Sequence, residues 1–166
     1  MALGLLLMFF LLSVFSYVRI FFFVSLLIAL NVVGSVYRRY LQLPISLEFA
    51  TFGTVLAAAA YGHTAGLAVA LLSPLIAAIY NGDFSPYTLV TVCIWATAAM
   101  VVPLHPANIL LVGMSVAIIK NLIVTLVFQF VFQYDLPRNI IYVITDLCLN
   151  IVMFARAAPM LLPLMG

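Results

Sequence analysis

The first 36 residues of the chain contain one charged side chain, Arg19, and read MALGLLLMFFLLSVFSYVRIFFFVSLLIALNVVGSV from Met1 to Val36. A helix of this length would extend about 54 Å, whereas one crossing of a bilayer needs about 30 Å. The stretch therefore predicts a membrane span with residues left over. Either Arg19 marks a membrane surface between two spans, or residues 1–18 form an interfacial or cleavable segment before a span at about 20–36. Residues 1–18 lack an early basic region and a clean cleavage site, so a signal peptide is not expected.

The composition of the whole chain extends this conclusion. Of 166 residues, six are Lys or Arg and four are Asp or Glu, so 6% are charged, against roughly 25% in a soluble domain. Hydrophobic residues reach 68% and the mean hydropathy is +1.36. The chain lacks the polar groups that cover a soluble fold. We therefore expect a multi-pass protein of the cell membrane, surrounded by lipid, with one integral domain over residues 1–166.

Turn signals divide the rest of the chain into further spans. Asn81-Gly82 and Ser85-Pro86 interrupt long apolar runs, and such pairs are typical of loops. The predicted fold class is an all-α membrane bundle of six or seven transmembrane helices, in which residues 1–19 are an extra apolar segment and residues 20–165 are the six-helix core. Alternation of the spans puts His63 and His105 on one membrane face. After the first span, the predicted spans cover about 45–61, 65–80, 87–102, 107–133 and 138–164.

Several function classes are excluded by what the sequence lacks. No basic patch is present for nucleic acid. Cys93 and Cys148 have no partner at metal or redox spacing and are expected to be small buried apolar residues. His63 and His105 lack nearby carboxylates, so no metal site is expected. Without a Walker A, GxSxG, HExxH or CxxC motif, the chain is not expected to be an enzyme or to need a cofactor, and any use of ATP would require another subunit.

Ionisable side chains within two predicted spans form the first candidate site. Lys120 and Asn121 lie near the middle of span five, and Asp146 and Asn150 lie along span six. The two spans should be antiparallel neighbours because their connection is short. Counting from that turn brings Lys120 within reach of Asp146. Two interpretations stay open: an ion pair that neutralises two charges, or a polar patch that binds a ligand or partner.

Loop tips predicted to share one membrane face form the second candidate site. Aromatic rings could stack on a flat ligand there, and carboxylate and amide groups could supply directional hydrogen bonds. The alternative is an interfacial aromatic belt beside ordinary turns. The residues concerned are Arg38, Tyr40, Glu48, Tyr80, Asn81, Asp83 and Tyr87.

Small residues crowd the hairpin between the second and third spans. Ala57, Ala58, Gly62 and Gly66 are examples, and small residues let helix backbones approach closely in lipid. They indicate either close packing within the chain or a surface for another membrane subunit.

From Pro44 onward the chain resembles a known family. The stretch PISLEF at 44–49 leads into a small-residue span, and AYGHTAGLAVALLS at 60–73 contains a Gly-x-x-x-Gly turn. Asn81-Gly82-Asp83 forms the next tip, and Pro86 opens the following span. This order resembles the S components of energy-coupling-factor (ECF) transporters, six-helix membrane proteins that bind vitamins and pass them to an energising module. The hairpin is also similar to the rod-shape-determining MreD family, whose members are assembly partners.

Each resemblance implies a function. The S-component resemblance implies capture of a small organic solute capped by the first and third loops, with ABC-type ATPases as partner subunits. It also implies a docking face on the first span, for which Ser25-x-x-x-Ala29 is the nearest match. The MreD resemblance implies a non-catalytic scaffold or assembly subunit with the same fold.

Overall fold

The computed structural model describes residues 2–41, 45–82, 84–104, 108–131, 133 and 135–166, of which 2–13, 37–41 and 87 are described by backbone alone. This part of the chain is helical, with irregular connections and no strand. In chain order the helices are α1 Ala2–Leu41, α2 Ala50–Tyr61, α3 His63–Asn81, α4 Pro86–Val101, α5 Ile109–Phe130, α6 Leu136–Val152 and α7 Ala158–Met165.

Helices α6 and α7 form one continuous rod. A π-helical segment, Met153–Ala157, joins them without a break. The described residues form six helical rods, which roughly fits the predicted number of helices, and an all-helical fold is confirmed for them. Within the part of the chain that the structure describes, four helical stretches are long and apolar enough to cross a membrane. They are Val14–Val36, His63–Asn81, Ile109–Phe130 and Leu136–Met165.

Helix α1 continues through Arg19 without a turn. Its 40 residues extend about 60 Å. The interpretation in which Arg19 separates two spans at a membrane surface is therefore wrong as a description of the backbone, because no reversal of the chain occurs there. Phe15, Phe21 and Val33 are exposed along this helix, as expected for a rod that faces lipid.

The second predicted span differs most from the structure. Residues 45–49 are not helical, and α2 begins only at Ala50. Its 12 residues extend about 18 Å, less than the thickness of a bilayer core. Every residue from Ala50 to Ala58 is buried, so α2 is a short central helix surrounded by the others. Gly62, with φ of 84°, separates it from α3, and a positive φ strains most side chains.

Close packing within the chain explains the small residues of the hairpin. Ala57 and Ala58 are fully buried. A Cβ placed on Gly66 would lie 2.6 Å from the Cβ of Ala58 and 3.1 Å from that of Ala99, so α2, α3 and α4 meet at this glycine. The interpretation of Ala57, Ala58 and Gly66 as a surface for another subunit is wrong, because their faces are already covered by this chain. Gly62 lies at the partly exposed turn.

The predicted antiparallel packing of the fifth and sixth spans is present. Asn139 at the start of α6 donates a hydrogen bond to Thr125 of α5 (3.2 Å). At the other end, a Cβ on Gly113 would lie 2.4 Å from the ring of Phe154, which is buried and tilted against Phe52 with ring centroids 5.4 Å apart. These contacts place the middle of α5 beside the middle of α6.

The two cysteines differ from expectation. Cys93 and Cys148 are free thiols exposed on the outer surface of the bundle, not buried within it.

Candidate functional site

A buried ion pair lies at the centre of the bundle. Lys120 Nζ donates a hydrogen bond to Asp146 Oδ2 at 2.8 Å, and both side chains are fully buried. Lys120 lies midway along α5, about 16 Å from either end by helix rise. The pair predicted from the spacing of the two spans is therefore present.

Glu48 belongs to this site rather than to the loop tips. Its Oε2 lies 3.5 Å from Lys120 Nζ and accepts a hydrogen bond from the hydroxyl of Tyr142 at 2.9 Å. Glu48 has further contacts beyond these two. Glu48 was predicted near the loop end of the second span, beside the loop tips, but the non-helical segment 45–49 places it inside the bundle.

Contacts with α6 hold the segment 45–49 inside the bundle. The backbone N–H of Ser46 donates to Thr145 Oγ1, and the Ser46 hydroxyl donates to Asp146 Oδ1, both at 2.9 Å. On the other side, Gly34 of α1 faces the ring of Phe49 at a distance that leaves no room for a Cβ. A buried backbone polar group is costly without a hydrogen-bond partner, and the backbone N–H of Ser46 has one in Thr145.

Trp95 of α4 covers the remaining side of the lysine. Its ring centroid lies 6.0 Å from Lys120 Nζ, at the outer limit of a cation–π contact. The indole Nε1 donates to Thr51 Oγ1 of α2 at 3.0 Å, and Trp95 is fully buried. Four elements therefore converge on one lysine: the segment 45–49, α4, α5 and α6.

The two predicted asparagines flank Asp146. Asn121 Nδ2 donates to Asp146 Oδ2 at 2.6 Å and to the Ala117 carbonyl at 2.9 Å. Asn150 Nδ2 donates to the backbone carbonyl of Asp146 at 2.9 Å and does not contact Lys120 by a hydrogen bond. The Oδ1 atoms of Asn121 and Asn150 are buried without a hydrogen-bond partner in the described part of the chain. We name Glu48, Lys120, Asn121, Asp146 and Asn150 the central cluster.

The residues of the predicted loop-tip site are not brought together where the structure describes them. Tyr80 is exposed at the end of α3. Asn81 donates from Nδ2 to Ser35 Oγ at 2.9 Å, so its amide joins the ends of α1 and α3. The side chains of Arg38, Tyr40, Asp83 and Tyr87 lie outside the described residues.

The remaining predicted positions that the structure describes lie at the surface. Ser25 and Ala29 are exposed on α1, so this face of the helix is uncovered by the chain. His63 is exposed at the start of α3, whereas His105 lies outside the described residues, and the expectation that they share a membrane face stays a prediction.

Sequence reasoning missed Ser46, Trp95 and Tyr142 as members of the site. The usable signal was limited to Trp95, the one tryptophan of the chain, inside an apolar span, where an indole N–H needs a partner. Compared with known proteins, the chain matches no protein-family model, no curated protein and no solved structure.

Proposed function

We propose that this chain is a substrate-binding integral membrane subunit of the ECF S-component type, which captures a small organic solute and relies on partner ATPase subunits. The solute would bind at the central cluster. The observation that carries the proposal is the irregular segment 45–49, which presents Ser46 and Glu48 to the Lys120–Asp146 pair in the interior of the bundle. The four apolar helices that are long enough to cross a membrane support its membrane location.

The free-energy cost of this arrangement supports a binding role. Each ionised side chain at the middle of a membrane helix costs roughly 2.5–3.5 kcal/mol on insertion scales. A lysine and one carboxylate would be enough to neutralise each other, yet Glu48 is brought to the same place by a stretch that gives up helical hydrogen bonds. Broken helices that present polar groups at half depth are typical of solute sites in membrane transporters.

The polar groups also have the character of a ligand site. Small-molecule sites combine apolar and aromatic walls with a few fixed polar groups. Trp95 supplies an aromatic wall that Thr51 holds in place, and the buried carboxylates of Glu48 and Asp146 are held by hydrogen bonds from Tyr142 and Ser46. A solute entering here would meet side chains whose positions are already determined.

Energy for transport would come from other subunits, because the sequence contains no Walker A motif. Ser25 and Ala29 are exposed on α1, and small side chains allow a helix of another subunit to approach closely. We assign the contact with partner membrane subunits to this face, since the small residues of α2 and α3 are covered by the chain itself.

The test is a solute screen on the purified chain in lipid nanodiscs. Binding is measured from the emission of Trp95, the one tryptophan of the chain, and from the shift of the thermal unfolding midpoint. We expect a saturable response to at least one vitamin-like solute, lost in Glu48→Gln and kept in Ser73→Ala, a buried position of α3 outside the central cluster. A stable protein that responds to no solute would contradict the proposal.

A non-catalytic scaffold of the MreD type is the second candidate. It is favoured by the internal pairing of Lys120 with Asp146 and Glu48, which gives the cluster a complete structural role without a solute. In that case the exposed face of α1 would carry the function. Purification from native membranes distinguishes the two candidates: ATPase subunits would support transport, and envelope-assembly proteins would support a scaffold.

The same purification tests the partner face. Ala29→Trp places a bulky ring on the exposed face of α1 and should abolish recovery of the partner. Leu122→Trp, on the exposed face of α5, is the matched control and should leave recovery unchanged. Equal recovery with both variants would exclude this face as the contact in either candidate.

A further inference from the structure

Hydrogen-bond donors in and around the central cluster are directed at its two carboxylates. Lys120 and Asn121 both donate to Asp146 Oδ2. Ser46 donates to Asp146 Oδ1, and Tyr142 donates to Glu48 Oε2. A buried polar group without a partner is costly in a low-dielectric interior. Two atoms of the cluster are buried without any hydrogen-bond partner in the described part of the chain, and both are acceptors, the amide oxygens of Asn121 and Asn150.

The orientation of both amides is determined by their surroundings. Asn121 Nδ2 lies 2.6 Å from Asp146 Oδ2 and 2.9 Å from the Ala117 carbonyl. Asn150 Nδ2 lies 2.9 Å from the Asp146 carbonyl. Exchanging nitrogen and oxygen in either amide would set oxygen against oxygen at these distances, which is repulsive. In both amides, Oδ1 is therefore the atom without a hydrogen-bond partner in the described part of the chain.

The two amide groups lie in one layer of the bundle. Asn121 reaches back one turn toward Ala117 on α5, and Asn150 reaches back one turn toward Asp146 on α6. These turns are adjacent, because Asn121 itself contacts Asp146 and the two helices are antiparallel. The amide heads are thus confined to a layer about 6 Å thick, the rise of four helical residues. Both residues are nearly fully buried, with 3% and 1% exposed.

We propose that Asn121 Oδ1 and Asn150 Oδ1 form an acceptor pair that binds the N–H groups of an organic ammonium or guanidinium solute. This inference rests on the proposed solute-binding function and names its substrate class. Amide oxygens accept hydrogen bonds, and bonds from a charged donor are the stronger kind. Lys120 does not oppose a second cation strongly, because Asp146 and Glu48 lie against its charge.

The test uses four probes that differ in charge and in N–H groups. n-Butylammonium and n-butylguanidinium carry N–H donors, n-butyltrimethylammonium carries the same charge without them, and pentanoate is an anion. Each is titrated as its chloride or sodium salt into the full chain in nanodiscs, with Trp95 emission as the readout and choline chloride to hold ionic strength. We expect saturable binding of the two N–H cations, at least about tenfold weaker binding of the quaternary cation, and none of pentanoate.

Matched variants test the two asparagines. Asn121→Leu and Asn150→Leu remove the acceptor at nearly constant side-chain size. Each should lower the affinity for the N–H cations by about tenfold or more. Asn150→Gln keeps an amide with both its donor and its acceptor, so it should lose less affinity for these cations than Asn150→Leu does. Asn139→Leu, at a buried position of α6 that bonds Thr125 instead, is the control and should leave affinity unchanged.

The outcomes separate this inference from the proposed function. A contrary result would be saturable binding of the quaternary cation or of pentanoate, with an affinity equal to or higher than that of the N–H cations. That result would overturn the proposal that the solute is an N–H cation, but it would still show a solute site. A response to sodium chloride alone, against choline chloride, would overturn it in favour of an alkali cation. If Asn150→Gln loses binding to the same extent as Asn150→Leu, the asparagine is structural. If none of these probes gives a response, the inference is overturned. The proposed function fails with it only if the vitamin-like solutes also give no response.

Discussion

Lys120 Nζ lies 2.8 Å from Asp146 Oδ2, and neither side chain is exposed. This contact joins the middle of α5 to the middle of α6, and Glu48 lies on the same ammonium at 3.5 Å. In an interior of low dielectric the three charges depend on one another, because removing one leaves a desolvated partner. The stability of the bundle and any binding at its centre are therefore linked through the same residues.

The first prediction concerns this pair. Lys120→Met and Asp146→Leu should each lower the free energy of unfolding by about 3–5 kcal/mol, because each strands a buried charge. The double variant should lose less than the sum of the two, since it removes both charges and leaves Glu48 with its hydrogen bond from Tyr142. Unfolding in mixed micelles, followed by Trp95 emission, measures all three. Ile119→Leu, on the exposed side of α5, is the control, and strictly additive losses would contradict the pairing.

The second prediction concerns the indole of Trp95. Thr51→Val removes the acceptor of its N–H and should lower stability by about 1–3 kcal/mol, because a buried donor is left unpaired. Thr54→Val, at the next buried threonine of α2, is the matched control. Thr54 Oγ1 has no hydrogen-bond partner in the described part of the chain, so its loss should be neutral or stabilising. Thermal unfolding followed by circular dichroism gives the comparison, and equal destabilisation by both variants would argue against the hydrogen bond.

The third prediction concerns the packing at Gly66. Gly66→Ala should destabilise the protein by about 1–3 kcal/mol, the usual cost of overpacking. The added Cβ would meet Ala58 Cβ at 2.6 Å and Ala58 Cα at 3.1 Å, and neither atom can rotate away. Thr64→Ala on the exposed side of the same turn should change the thermal unfolding midpoint little. A fully stable Gly66→Ala would mean that α2 and α3 lie further apart than described.

The fourth prediction separates Asn81 from solute binding. Asn81→Ala should lower stability by about 0.5–1.5 kcal/mol, because it loses the hydrogen bond to Ser35. Ser35→Ala should have a similar effect, and the double variant should cost less than the sum. Solute affinity should not change in either variant, since the bond joins α1 to α3 outside the central cluster. A tenfold loss of solute affinity in Asn81→Ala would show that the loop tips take part in solute binding.

Several features followed from the sequence because they depend on local pattern. Long apolar runs between turn signals predicted the third span at 65–80 and the sixth at 138–164, and the structure has helices at His63–Asn81 and Leu136–Met165. A short connection between two apolar helices makes them antiparallel neighbours. The Lys120–Asp146 pair was predictable for that reason, since counting residues from one turn was enough.

Only the tertiary structure decided the place of Glu48. Residues 45–49 were predicted to be helical because they are mostly apolar. A local pattern cannot show that contacts with distant residues stabilise a non-helical conformation instead. Those contacts are hydrogen bonds with Thr145, Asp146 and Tyr142. They join Ser46 and Glu48 to α6 across sequence separations of 94 to 100 residues. The backbone of this segment exchanges helical hydrogen bonds for contacts that exist only once the bundle has assembled. Glu48 therefore lies inside the bundle, and the predicted loop-tip site loses one of its two acidic residues.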